Sequence, residues 1–300
     1  TIYVNQKTGT FNLSNMDIVH GGTGCVIRIG DRDEKYTEKL IVNLDDLGIV
    51  SESSCAYGLI QAGYGTMELD LNMADVDLAW KTDAEVQKGA IFAGLSEVTT
   101  KLNLTMTDCN IDSSNTTGAY GISAESGVTG TLVLNDTTIA SNKDSVVDKK
   151  MKFTRNTATE LSTYPATQVQ VGDVVYNELS EAIEEANNSQ EDATLSFLSD
   201  EVTFKENITI KNVNGKNITI DGNNKKLVSN KVIFIYQENG TVEVKDLTVK
   251  HSSGNPLFRI GEKGKTYSEK LTVNLKNLDI KSTSTRKSGV IEAGFASTEL

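Results

Sequence analysis

Apolar residues in this chain alternate with polar ones over short runs, break step at a corner, and then resume. Phe11 and Leu13 are followed, after two residues, by Met16 and Ile18. A period of two on either side of a break predicts strands with one face turned inward, since a helix would repeat at 3.6 residues. The runs NLSNMDI ending at Ile18, NLDDLGI at Ile49, NMADVDL at Leu78, TMTDCNI at Ile111 and VLNDTTI at Ile139 align in one frame. Their anchors Leu13, Leu44, Met73, Met106 and Leu134 lie 31, 29, 33 and 28 residues apart, and Val244 and Leu275 are again 31 apart. A second motif keeps step: IQAG at Ile60, IFAG at Ile91, ISAE at Ile122 and IEAG at Ile291. A period near 30 with two or three alternating runs per repeat is that of a solenoid built from strands, because each coil buries its inward side chains on its neighbours. Parallel strands joined by right-handed crossovers then predict an all-β, right-handed parallel β-helix.

One segment departs from this pattern. NELSEAIEEANN, from Asn177, sets Leu179, Ala182, Ile183 and Ala186 at helical spacing, with Asn177 as the expected N-cap and acids in the first turn. A short amphipathic helix suits the end of a β-helix, where it would cover bare core and unpaired edges. Residues 154–168 are Thr-rich, contain Pro165 and lack periodicity, and so read as linker. The expected division is 1–149 as the last coils of one module and 150–300 as linker, capping helix and first coils of the next.

Two modules are expected because the sequence repeats itself. Arg28 recurs as Arg259, and the same offset of 231 carries Gly30 to Gly261, Tyr36 to Tyr267 and Asn43 to Asn274 without a gap. Residues 1–69 and 232–300 are identical at 25 of 69 positions, so the block is a duplication. Thr1 and Leu300 both correspond to mid-module positions, from which a longer tandem array is expected. At about 4.8 Å between stacked strands, seven or eight coils would add roughly 35 Å per module.

Composition narrows the role. A net charge of -12 argues against nucleic acid and anionic lipid as partners. The longest apolar stretches, such as GAIFAGL, fall well short of the roughly 20 residues of a spanning helix, so no membrane insertion is expected in this segment. Two prolines amid abundant Thr, Asn, Ser, Val and Ile fit many short strands joined by polar turns.

NITIDGNNKKLV, from Asn217 to Val228, together with the helical segment before it, resembles the opening of β-helix domains of the pectate-lyase-like superfamily. In those domains an Asp-Gly-Asn turn follows the first inward strand and a helix caps the first coils. As architecture the whole chain resembles tandemly repeated, adhesin-like surface proteins. That resemblance implies extracellular display at a cell surface, with adhesion or filament building, and supplies no active site.

Candidate chemistry is weighed against the duplication. Enzymes on this fold work with carboxylates and basic residues on one face, sometimes with calcium. Asp45 and Asp46 become Lys276 and Asn277 in the second copy, and DRDEK from Asp31 becomes EKGKT, so neither set is kept. Asp70, Asp75 and Asp77 stay open as the site of a polysaccharide lyase or hydrolase, although no basic partner is evident. His20 and His251 are the only histidines, one per module, and read as corner residues bonded to backbone rather than metal ligands. Arg28, Tyr36, Glu38 and Lys39 recur as Arg259, Tyr267, Glu269 and Lys270, forming either a ligand patch or a structural turn in which Tyr covers the core edge. Gly58 and Gly63, with counterparts Gly289 and Gly294, read as tight corners. Cys25 and Cys55 lie one coil apart and would bridge if stacked, while their counterparts Pro256 and Arg286 are both non-Cys; Cys109 reads as core. Acceptor sequences for glycosylation occur at Asn12, Asn103, Asn115, Asn135, Asn187, Asn207, Asn217 and Asn239. The expectation is a non-enzymatic extracellular rod without catalytic residues, cofactor or metal. Its partners would be neighbouring modules or copies of itself end to end, with surface glycans or receptors as further candidates, and glycan cleavage or glycan binding are the alternatives.

Overall fold

The computed structural model describes residues 1–147, 150–163, 168–267, 269–283 and 289–294. The chain is a parallel β-solenoid with coils of about 29 residues and, among the described residues, one short helix. It forms two compact units, Thr1–Pro165 and Ala166–Leu300.

In the first unit each coil contributes one short strand and one long, bent strand. The short strands Ile2–Val4, Ile27–Ile29, Ile60–Ala62, Gly89–Ala93, Tyr120–Ala124 and Val146–Val147 stack in that order as one parallel sheet. The long strands Gly9–His20, Leu40–Ser51 and Met67–Trp80 stack alongside, and later coils carry the same strand in two pieces, as in Thr100–Thr107 with Asn110–Ser113. Register follows the sequence anchors: Leu13 pairs with Leu44, Leu44 with Met73, Met73 with Met106 and Met106 with Leu134. Ile60, Ile91 and Ile122 are likewise aligned.

The bend in every long strand has one cause. Two residues after each anchor stands an Asp or Asn in the left-handed region: Asn15, Asp46, Asp75, Asp108 and Asp136 in the first unit, Asp246 and Asn277 in the second, all with φ between 47° and 54°. A left-handed residue costs most side chains about 1–2 kcal/mol, and Asn and Asp, which bond locally to backbone, bear it best. The turn restores inward pointing on the far side. Leu40, Val42 and Leu44 are buried before the corner, and Leu47, Ile49 and Ser51 after it. Gly58 (φ +75°) makes a second kind of corner, where a Cβ would lie 2.2 Å from the Gly89 carbonyl oxygen.

The first stack runs further than the sequence indicated. Strands Met151–Asn156 and Glu160–Leu161 pair in parallel with Val128–Asn135 and Thr138–Ser141, adding a coil where linker was expected, so 149/150 is not a boundary between units. Met151, Phe153 and Arg155 are buried in alternation, and two basic side chains in MKFTR obscure that period in the sequence. Residues 164–167 of the expected linker lie outside the described residues.

The second unit opens with an antiparallel hairpin, Val169–Val171 with Val174–Tyr176, and the first of these strands also pairs antiparallel with Ala193–Phe197. Helix α1 (Leu179–Asn188) buries Leu179, Ala182, Ile183 and Ala186 in the core of this unit, as its spacing predicts. Its N-cap is Glu178, not Asn177, and makes no side-chain capping bond. Parallel stacking then begins: Ala193–Phe197, Ile218–Ser229, Gly240–His251 and Leu271–Ser282 form the long-strand sheet, with Val244 on Leu275. Ile208–Ile210, Ile233–Ile235, Phe258–Ile260 and Ile291–Ala293 form the short one. The Asp-Gly-Asn turn is the corner of the first full long strand, where Asn223 and Asn224 are both left-handed.

The corner is open to test at Asp46, which is exposed. Asp46→Val should lower unfolding stability in urea by about 1–2 kcal/mol and Asp46→Gly by far less; equal losses would remove the backbone explanation.

Candidate functional site

Several of the carboxylates that stood out in the sequence are occupied with folding. Asp46 and Asp75 are the left-handed corners of successive coils. Asp31 turns its own loop, its Oδ1 accepting the Asp33 amide at 3.1 Å, while Glu34 pairs with Lys7 at 2.6 Å and Arg32 with Glu97 at 3.3 Å. Asp70 does have a basic partner. Lys39 immediately precedes Leu40, which pairs with Leu69, and its Nζ reaches Asp70 Oδ2 at 2.7 Å across the coils. Asn103 donates to the other oxygen at 2.8 Å. Burial would raise the Asp70 carboxyl, but the bonds from Lys39 and Asn103 outweigh it and hold the group below the usual carboxylate range. A carboxylate held ionised in this way is poorly matched to general-base work near neutral pH. Asp77 is exposed beyond the corner, on the other arm of the strand from Asp70. Among the described residues no group of three or more His, Cys, Asp or Glu is placed to hold a metal ion.

Two outward surfaces of the first unit stand out. Along the long-strand sheet Asn12, Asn43 and Asn72 stack in register, and each amide donates to the one before it, Asn43 to Asn12 at 2.7 Å and Asn72 to Asn43 at 2.9 Å. They line a shallow groove of about 470 Å³ with Ser14, Asp45 and Thr105. On the short-strand sheet Arg28 stands between Tyr3 and Gln61 in register. Its guanidinium carbon lies 4.4 Å from the centre of the Tyr64 ring, 5.4 Å from Tyr3 and 5.9 Å from Tyr57, and its Nε donates to Gln61 Oε1 at 3.1 Å. Tyr3, Asn5, Arg28, Gly30, Asp31 and Tyr64 line a pocket of about 290 Å³.

The structure separates the residues of the expected Arg28 patch. Tyr36 is buried over the core edge, Glu38 accepts from Thr8 at 2.8 Å, and Lys39 belongs to Asp70. What surrounds Arg28 instead is Tyr3, Gln61, Tyr57 and Tyr64. Two of these were findable, since aligning IYV, IRI and IQA places Tyr3, Arg28 and Gln61 in one file.

His20 and His251 are corner residues, each with Nε2 on a backbone carbonyl, Gly24 at 2.9 Å and Asn255 at 2.8 Å. Cys25 and Cys55 are free and buried rather than bridged. The coil between them is longer than 30 residues in this sheet: Ile27 pairs with Ile60, which leaves Cys55 three residues short of the place over Cys25. Cys25 Sγ faces Gln61 Oε1 at 3.9 Å, and Cys55 Sγ lies 3.4 Å from Ser51 Oγ. Cys109 is core, and burial pushes its thiol up to about 11.

The asparagines with acceptor sequences differ in what their amides do. Asn187 donates to the Thr209 carbonyl and accepts the Lys211 amide, and Asn217 donates to Asp192 and accepts the Thr241 amide. Asn12 and Asn103 belong to the outward ladders, Asn207 accepts the Val232 amide, and Asn239 donates to Glu269. Asn135 lies half-buried beside the Asp136 corner. Asn115 is exposed in a turn.

These features define a duplicated parallel β-solenoid in which several outward polar residues are tied to neighbouring coils. No family model, curated protein or solved structure matches the chain. Among the described residues no helix is long and apolar enough to cross a membrane.

Two outcomes follow. Asp70 and Asp221 are held below the usual carboxylate value of 3.8, Asp221 by Lys245 and the Asn223 amide against the opposing effect of burial. Groups so depressed stabilise the fold above that value and lose their contribution as pH falls through the lowered one. Melting temperature should therefore hold from neutral pH down to about 4 and drop below it, and Asp70→Asn should flatten that drop; an unchanged profile would count against the Lys39 contact. In a host that glycosylates asparagine, peptide mapping should find Asn115 the most occupied site and Asn187 and Asn217 the least, and the reverse order would contradict the hydrogen bonding described.

Proposed function

We propose that this chain is a non-enzymatic, extracellular structural protein, a tandem β-helix rod that serves as an adhesin stalk or filament subunit at a cell surface. Its partners are neighbouring modules or copies of itself, joined end to end. The observation that carries this reading is the depth of the duplication. It extends to single hydrogen bonds: His20 to Gly24 as His251 to Asn255, Gln6 to the Thr8 carbonyl as Gln237 to the Asn239 carbonyl, and Glu38 with Thr8 as Glu269 with Asn239. Meanwhile Asp45, Asp33 and Glu34 become Lys276, Gly264 and Lys265. What is copied is the means of stacking, and what drifts is the acidic chemistry. Repeating a block of 231 residues adds reach and stiffness, whereas catalysis gains little from it.

Electron microscopy of the native material from its source tests the reading. A continuous rod with an axial repeat near 35 Å, the length of seven or eight coils at the inter-strand spacing, is the expected result. Compact separate particles, or cleavage of a glycan abolished by Asp75→Asn, would overturn it in favour of an enzyme of the polysaccharide lyase or hydrolase kind.

A further inference from the structure

The two copies differ at one outward position in a way that points to a ligand. In the second unit Phe234, Arg259 and Glu292 stand in register on the short-strand sheet, matching Tyr3, Arg28 and Gln61 of the first. Arg259 packs over Phe234 at 5.6 Å and is neutralised by its own chain: Nε and a terminal nitrogen both reach Glu292 Oε2 at 3.0 Å. The Arg28 site keeps the geometry and lacks the negative charge. Its Nε makes the matching bond, to Gln61 Oε1, and a neutral amide stands where the carboxylate would be. Among the described residues its terminal nitrogens have no acceptor and no carboxylate is ion-paired with it. Three tyrosine rings surround this half-buried guanidinium, and two of them, Tyr3 and Tyr64, line the pocket with it.

A guanidinium that is partly desolvated, held flat by aromatic faces and fixed at one nitrogen is prepared for a bidentate carboxylate. We infer that the Arg28 pocket is a recognition site for the carboxylate of an acidic side chain on a protein partner. The missing carboxylate is then supplied from outside in the first unit and from Glu292 in the second. A peptide fits better than a polyanion for a reason of charge. Asp31 lines the same pocket and the chain carries a net charge of -12, which repels a densely charged ligand but accepts a single carboxylate flanked by peptide N–H groups, for which Asp31 and Asn5 are acceptors. This goes beyond the structural role proposed above and would stand without it.

The test is a titration of the 300-residue chain with an acetylated, amidated Gly-Glu-Gly peptide and its Gly-Gln-Gly counterpart, followed through the Arg28 Nε–H resonance. The glutamate peptide should saturate the shift, and the glutamine peptide should bind at least tenfold more weakly. Arg28→Gln should lose binding by a similar factor. Gln61→Glu, which copies the Arg259–Glu292 pair and leaves Arg28 in place, should also lose it while melting no lower than the parent. Equal binding of the two peptides, undiminished binding by Gln61→Glu, or a response to an acidic oligosaccharide with none to the peptide would each overturn the proposal.

Discussion

Everything in this molecule depends on one spacing, the distance at which one strand of a coil hydrogen-bonds to the same strand of the next. Parallel stacking at about 4.8 Å demands that each anchor sit on an anchor, since a slip of one residue would turn a whole inward file outward. The register from Leu13 through Leu134 meets that demand. It requires the corner of each coil to occur at the same place, and the corner in turn requires a residue that tolerates positive φ. Some of the Asp and Asn residues that look like a scattered acidic surface, Asp46, Asp75, Asp108 and Asp136 among them, are therefore corners of successive coils. Variation in coil length is taken up between strands, as where Ile2 pairs with Ile27 but Ile27 with Ile60.

A fold so constrained along its axis is free only on its outside. Inward residues answer to neighbours above and below, and the edge of each coil is fixed by contacts such as the histidine on a loop carbonyl. Outward side chains have a second tendency. Stacked at a short repeat, they pair along the sheet, as the Asn12–Asn43–Asn72 file and the Lys39–Asp70 and Lys245–Asp221 pairs do. Polar residues engaged in this way stiffen the surface and are withdrawn from other chemistry.

How much of this was legible depends on whether a feature repeats. The anchors, the Ile60–Ile91–Ile122 file, the buried face of α1 and the histidine corners all recur or follow a strict period, and the structure has them where the pattern placed them. Features set by contacts across coils were hidden. Lys39 reaches Asp70 over 31 positions, and nothing local to either residue reveals it. The coil at Met151 was obscured by Lys152 and Arg155, and the antiparallel hairpin before α1 belongs to no repeat. Cys25 and Cys55 show the hazard of a mean period: 30 residues is one coil on the long-strand side and not on the side where they stand.

The same logic indicates where a duplicated solenoid can acquire recognition. A change inside disturbs two neighbouring coils, and a change in an engaged outward pair leaves its partner unmatched. Exchange of glutamate for glutamine beside an arginine is different, because it keeps the shape and the Nε bond and removes only the charge. Arg259 with Glu292 is complete within its own unit, and Arg28 with Gln61 is the same arrangement without its anion. Arg28 is an outward group whose counterpart shows what would complete it.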